Sequence, residues 1–298
     1  MRLEVTGKRM DANETGIPLL PFHGFSPVIK SLRVDFIILL TSRVFDLVLS
    51  FPHLEDLTVN GYSSIDLEDG PIGLPTVVQP SSLPVLTASF PRGGAKSLIR
   101  RFLSLPGGVH FRKLTLLWQH EQDLLLTMAL VEACSHTLEA LTITSHPFGV
   151  SIRFRVCTDN SLLFLGWLAS SASIDLSKAR KLKDVMFVCN ISGVEWVIMT
   201  LRNVIRDRGN IQQILLDLPD IPYSPCLGHV DPASVRDGMG EDMYSRWLEL
   251  DHLLAELWES HSIRPKITYN APPGKDVCSW VDCLLPELTK RGVVNPIE

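Results

Sequence analysis

The sequence holds only six cysteines among 298 residues, and none of them form a CxxC pair. That is too sparse for a disulfide framework and points to buried thiols in a reducing compartment. No apolar run approaches the roughly 20 residues a bilayer-spanning helix needs. The polar stretch from Met1 to Glu14 lacks the apolar core of a signal peptide. The expected location is therefore intracellular, cytoplasmic or nuclear. Excess basic charge is missing as well: Lys and Arg total 28 against 33 Asp and Glu, for a net charge of −5 and a pI near 6.0. The short basic clusters at Arg100 and Arg101, 178–183 and 206–208 are interspersed with acids and read as solvated surface. A non-specific nucleic-acid binder needs a basic stripe that displaces counterions. Neither nucleic acid nor membrane is expected as a partner.

Catalytic signatures are missing too. There is no GxSxG elbow, no P-loop, no HExxH and no GxGxxG after a strand. The segment Pro273, Gly274, Lys275 lacks the glycine-rich lead and the Ser/Thr of a phosphate cradle. Cys134 and His136 lie close enough in sequence to be imagined as nucleophile and base, but a catalytic pair also needs an orienting third group and a shaped pocket. Cys278, Cys283, His252 and His261 do not make a metal site, because the two thiols do not share a helix face and structural zinc wants four ligands. The sequons at Asn13 and Asn190 carry weight only in a secreted chain. No enzyme, cofactor or metal is expected.

What is present is a recurring triplet, apolar-x-x-apolar-x-apolar. It is clearest at Leu138, Leu141 and Ile143, and recurs at Leu54, Leu57, Val59; Leu83, Leu86, Ala88; Phe111, Leu114, Leu116; Leu182, Val185, Phe187; and Ile211, Ile214, Leu216, with a weaker copy at Ile29, Leu32, Val34. The starts at 29, 54, 83, 111 and 138 are about 25 to 29 residues apart, which is leucine-rich-repeat spacing. Between triplets, helical patterns fall at 41–49, 95–103, 123–134 and 193–207. The last has Ser192 and Glu195 as a capping box and Gly209 as a stop. Strand–helix–strand alternation implies parallel strands. The expected fold is α/β: an irregular, horseshoe-like leucine-rich-repeat solenoid, with parallel strands on one face and helices on the other.

The array is expected to occupy 1–240. Long loops are expected at about 63–82, rich in Ser, Gly and Pro, and at 217–242, with Pro219, Pro222, Pro225 and Pro232. An extra strand at 151–157 and a short helix at 161–169 fill the long step from Leu138 to Leu182. Residues 241–298 read as a helix–strand–helix capping unit of the same solenoid: a helix through Met243, Trp247, Leu250, Leu254 and Leu257, a strand at Ile267 and Tyr269, and a helix through Val277, Trp280, Val281, Leu284 and Leu288 that Pro286 should kink or end. Leu3 and Val5 match Leu32 and Val34 at a spacing of 29 residues, so the array is expected to begin in mid-repeat, with an N-terminal portion missing.

In each triplet the last two apolar side chains point to one side of a strand, and the residue between them points to the other. The central open position holds Arg33, Thr58, Thr87, Thr115, Thr142, Met186 and Leu215. Four successive threonines suit a flat, uncharged binding strip that turns apolar at Met186 and Leu215. Threonine is also the soluble residue that packs well on a pleated surface, and both readings stand. The loop from Asp217 onward is a further candidate cover for Met186 and Leu215.

Four stretches carry a family likeness: residues 19–28 (LLPFHGFSPV), 50–58 (SFPHLEDLT), 174–178 (IDLSK) with 182–185 (LKDV), and 258–266 (WESHSIRPK). Together they make the chain resemble the leucine-rich-repeat region of fungal, mushroom-lineage F-box-type proteins. In that family an F-box docks the adaptor of a cullin-type ubiquitin ligase and the repeats hold the substrate. The resemblance thus implies a protein partner, with adaptor binding only where an N-terminal F-box exists. None is expected within this sequence, since too little of it precedes Ile29 to hold the helices of an F-box. The asparagine that often closes each repeat is found only at Asn190; Tyr62, Pro91, Gln119, His146 and Pro219 stand elsewhere. The alternatives are a repeat scaffold or sensor with no ubiquitin link and, more remotely, a thiol hydrolase using Cys134.

Overall fold

In a computed structural model, the described residues are 1–6, 28–36, 45, 47–61, 86–90, 96–118, 121–145, 173–189, 193–207, 210–218, 232–270 and 278–297. The expected loop at 63–82, the extra strand at 151–157, the helix at 161–169, Ser192, Gly209 and both sequons lie outside them, as does most of the helical pattern at 41–49.

The chain packs as two compact units. One comprises residues 1–142 with 178–182, and the other residues 143–177 with 183–298. The first contains strands β1 (Arg2–Thr6), β2 (Ser31–Phe36), β3 (Asp56–Gly61), β4 (Leu86–Phe90) and β5 (Phe111–Trp118), with helices α1 (Lys96–Leu103) and α2 (Glu121–Ala133). Strand β6 (Ala140–Ser145) begins in it. Every pair from β1 to β5 is parallel, and each strand joins the one before it in chain order. A sheet that grows along one edge in this way is the arrangement of a solenoid.

The second unit contains β7 (Asp184–Val188), α3 (Val194–Asp207), β8 (Gln213–Leu218), α4 (Pro232–Met239), α5 (Glu241–His261), β9 (Arg264–Asn270), α6 (Cys278–Leu284), α7 (Pro286–Lys290) and β10 (Val294–Ile297). Strands β7 to β10 are again parallel and in chain order.

The triplets form the ladders. Leu32 pairs with Leu57 and Val34 with Val59; Val185 pairs with Ile214 and Phe187 with Leu216. The first apolar residue of each described triplet, from Ile29 and Leu54 to Leu182 and Ile211, is buried too. The residue after it fixes the register. Its carbonyl accepts from the backbone N–H groups of the next repeat, as Lys30 does from Glu55 and Asp56, and Lys183 from Gln212 and Gln213. Burying one aliphatic side chain of this kind contributes about 1.5–3 kcal/mol, so three per repeat hold each new strand in place. Aromatic pairs add to the first unit's core, where Phe102 lies between Phe45 at 5.6 Å and Phe111 at 6.0 Å.

Three features differ from the sequence-based expectation. First, 217–242 is not one long loop: β8 runs to Leu218, α4 begins at Pro232, and α5 begins at Glu241. Proline is tolerated in the first turn of a helix, where its missing N–H leaves no bond unmade. Buried Val235 anchors α4. Gly240, at φ 86°, then separates α4 from α5 in a backbone conformation that glycine adopts without strain.

Second, the last strand-helix group ends on a strand, β10, which pairs with β9 through Val294 opposite Ile267. Pro286 does interrupt the final helix as expected, and stands at the start of α7.

Third, β4 lies two residues away from the register the triplets imply. Leu57 pairs with Ala88, not Leu86, and Ala88 pairs in turn with Leu114 on β5, so the slide is the same against both neighbours; the β4–β5 ladder is also irregular at Arg112, with Leu86 facing Phe111 and Thr87 facing Lys113. A two-residue slide keeps every side chain on its own face, so the patterning at Leu86, Ala88 and Phe90 does not distinguish the two registers.

Candidate functional site

The open side of each strand is set by alternation. In β3, Leu57 and Val59 are buried and Thr58 between them is half-buried; Thr115 stands likewise between Leu114 and Leu116, Thr142 between Leu141 and Ile143, Met186 between Val185 and Phe187, and Leu215 between Ile214 and Leu216. Arg33 stands so between Leu32 and Val34, and Thr87 is half-buried as well. All seven open-face positions therefore alternate with buried neighbours or sit beside them.

In the first unit the register brings Glu4, Arg33, Thr58, Ser89 and Thr115 into one row. Ser89, not Thr87, fills the place between Thr58 and Thr115. Thr87 sits one row away, between Asp56 and Lys113, because of the shift in β4. The substitution preserves the chemistry: Thr58, Ser89 and Thr115 make a hydroxyl strip spanning about 10 Å at ordinary strand spacing. Toward β1 and β2 opposite charges on the same face are paired. Arg2 pairs with Glu4 at 2.7 Å, Arg33 with Asp35 at 2.9 Å, and Asn60 donates to Asp35. At the entrance to the strands Lys30 meets Glu55 at 2.6 Å, and that hydrogen bond and charge hold the Lys30 ammonium above its ordinary pKa and the Glu55 carboxyl below its own.

In the second unit, Met186 faces Leu215, and Leu215 faces Lys266. Lys266 lies outside the seven positions the triplets mark, because its strand carries no triplet; the alternation Pro265, Lys266, Ile267 is the signal that places it. A polar row runs alongside through Asp184, Gln213 and Arg264, and another joins Asp217 to Thr268, whose hydroxyl donates to the carboxylate at 3.0 Å.

The thiols are placed for packing. Cys134, Cys189 and Cys283 are buried. Burial pushes the Cys134 thiol up to about 11, against a small opposing effect of a backbone hydrogen bond with Phe111. Burial, then the nearby Asp217 charge, pushes Cys189 up to about 12. Such thiols are protonated near neutral pH and make poor nucleophiles. His136 hydrogen-bonds the His110 ring. Among the described residues, no group of three or more His, Cys, Asp or Glu side chains stands together as a metal site, and no helix is long and apolar enough to cross a membrane.

No protein-family model matches the chain, and no curated protein matches it either.

Proposed function

We propose that the chain is a protein-interaction module of the leucine-rich-repeat, horseshoe-like kind, which docks a protein partner on its open strand face. The carrying observation is the alternation of buried and half-buried residues along consecutive parallel strands, which sets a row of short hydroxyl side chains across β3, β4 and β5. Side chains this short leave a flat face that a partner reaches without displacing long, mobile groups.

The resemblance to fungal F-box-type proteins adds a specific role: the substrate-recognition repeats of a cullin-type ubiquitin ligase. In that role the repeats bind substrate, and adaptor binding belongs to an F-box. Affinity purification of the full-length gene product followed by mass spectrometry tests it. Recovery of an adaptor–cullin pair supports the ligase role. Recovery of other proteins without that pair favours a repeat scaffold or sensor with no ubiquitin link. The buried Cys134, held protonated, speaks against a thiol hydrolase.

A further inference from the structure

Strands β7, β8 and β9 of the second unit carry an open face whose chemistry differs from that of the hydroxyl strip. Its middle row runs from Met186 through Leu215 to Lys266. The two apolar side chains are half-buried, and Lys266 is exposed. At the preceding outward position of each strand, Asp184, Gln213 and Arg264 make a second row, all three exposed. The side chains of Arg264 and Lys266 have no hydrogen-bond or ion-pair partner among the described residues. The acids of the face do not serve them: Asp217 accepts from the Thr268 hydroxyl at 3.0 Å, and Asp184 stands two strands away from Arg264.

We propose that this face docks an acidic segment of a protein partner, with apolar side chains settling on Met186 and Leu215 and carboxylates over Lys266 and Arg264. The proposal rests on the reading of the open strand face as a docking surface and adds the chemistry of what docks there.

The apolar pair and the cations favour the same occupant. Covering Met186 and Leu215 removes apolar surface from water, and the flexible thioether of Met186 adapts to the side chain it meets. A carboxylate brought beside that patch meets a cation across a surface from which water has been displaced, where attraction is stronger than in open solvent. Arg264 and Lys266 lie two residues apart on one strand, about 6.6 Å, the spacing of alternate side chains in an extended segment. Asp184 sets the direction: it repels an acid over β7, so the acidic part belongs over β9. The net charge of −5 does not oppose this docking, because charges beyond about 8 Å are largely screened at physiological salt.

The test is panning of a phage-displayed library of random peptides on the purified full chain, followed by fluorescence anisotropy of an enriched peptide. Peptides of about twelve residues are long enough to cross all three strands. Expected are Asp or Glu enriched close to apolar residues, an affinity that falls as salt rises, and a loss of about tenfold in Arg264→Glu/Lys266→Glu. Panning on that variant should select Lys or Arg in place of the acids. Both positions are exposed, so its melting temperature should stay close to that of the wild type. Should it fold poorly, Arg264→Gln/Lys266→Gln decides the matter by loss of the acid preference. Enriched peptides without acids, the same acidic peptides from wild type and variant, or no enrichment beyond that on an unrelated protein overturns the proposal. Leu215→Thr separates this failure from that of the docking-face reading. Acidic peptides that bind Leu215→Thr like wild type remove both, whereas acid-free peptides that bind it more weakly remove only the proposal and leave the face a docking surface.

Discussion

Asp251, in the middle of α5, holds the backbone N–H of Leu288 at 3.0 Å with one carboxylate oxygen, while its other oxygen accepts from the N–H of Glu287 at 2.8 Å. A fully buried acid on one helix thus caps the first turn of another, α7, two of whose N–H groups have no partner within their own helix. Replacing it with alanine strands both donors out of reach of water. Asp251→Ala is expected to cost about 2–4 kcal/mol, and Asp251→Asn, which keeps one acceptor, about half that. Urea denaturation of the three proteins checks the order.

The same carboxyl gives a pH signature. Burial holds its pKa above the ordinary 3.8, partly offset by the two backbone hydrogen bonds and by nearby His252, while Glu287 adds to the rise. A folded-state pKa above the unfolded one means the native state binds the proton more tightly. The contribution is therefore fully present below the unfolded pKa and lost as pH rises through the folded one. Measured as the difference between wild type and Asp251→Asn, stability should grow as pH falls through the carboxylate range. A flat difference would show that the buried group does not titrate there.

The register of β4 is open to direct chemical test. Thr58 faces Ser89 across the ladder, at about 4.8 Å between neighbouring strands, within reach of a disulfide. Thr58 and Thr87 are diagonal, about 7–8 Å apart. The double variant Thr58→Cys/Ser89→Cys is expected to oxidise to an internal disulfide much more readily than Thr58→Cys/Thr87→Cys, as read by mass spectrometry. The opposite order would restore the register implied by the triplets.

The contrast between these two regions shows where residue patterning carries information. The inner triplet residues, the parallel strands and the helices α1, α2, α3 and α5 are legible because an apolar period of 2 or 3.6 reports which face is buried. The place of β4 along its neighbours is not, because a slide of two residues leaves that period intact. Helix α4 is hidden behind Pro232, whose role depends on its position in the first turn rather than on its identity. Strand β10 carries no triplet, and a proline, Pro296, sits within it. Asp251 stands four residues after Trp247 on the apolar stripe of α5, a signal of a buried acid with a partner, but its partners are backbone groups that no side-chain pattern reveals. In the candidate site, Thr58 and Thr115 are legible from alternation alone, whereas Ser89 requires the pairing.

Buried thiols should be slow to react. With Cys134 at about 11 and Cys189 at about 12, the thiolate fraction near neutral pH is small, and it rises only as pH climbs toward those values. Alkylation of the native protein with iodoacetamide is expected to spare both, as mapped by peptide mass spectrometry, until denaturant exposes them. One fast-reacting site at Cys134 would revive the thiol-hydrolase reading.

The central claim is that the open strand face is where a partner docks. Its most direct test is quantitative affinity purification with wild-type protein beside a Thr115→Asp/Thr142→Asp variant, paired with thermal melts of both. Both threonines are half-buried and point away from the core side of their strands, so the melting temperature should hardly move. Proteins recovered by the wild type and lost from the variant, at equal thermal stability, are the predicted result. The same proteins recovered in the same amounts by both would contradict it.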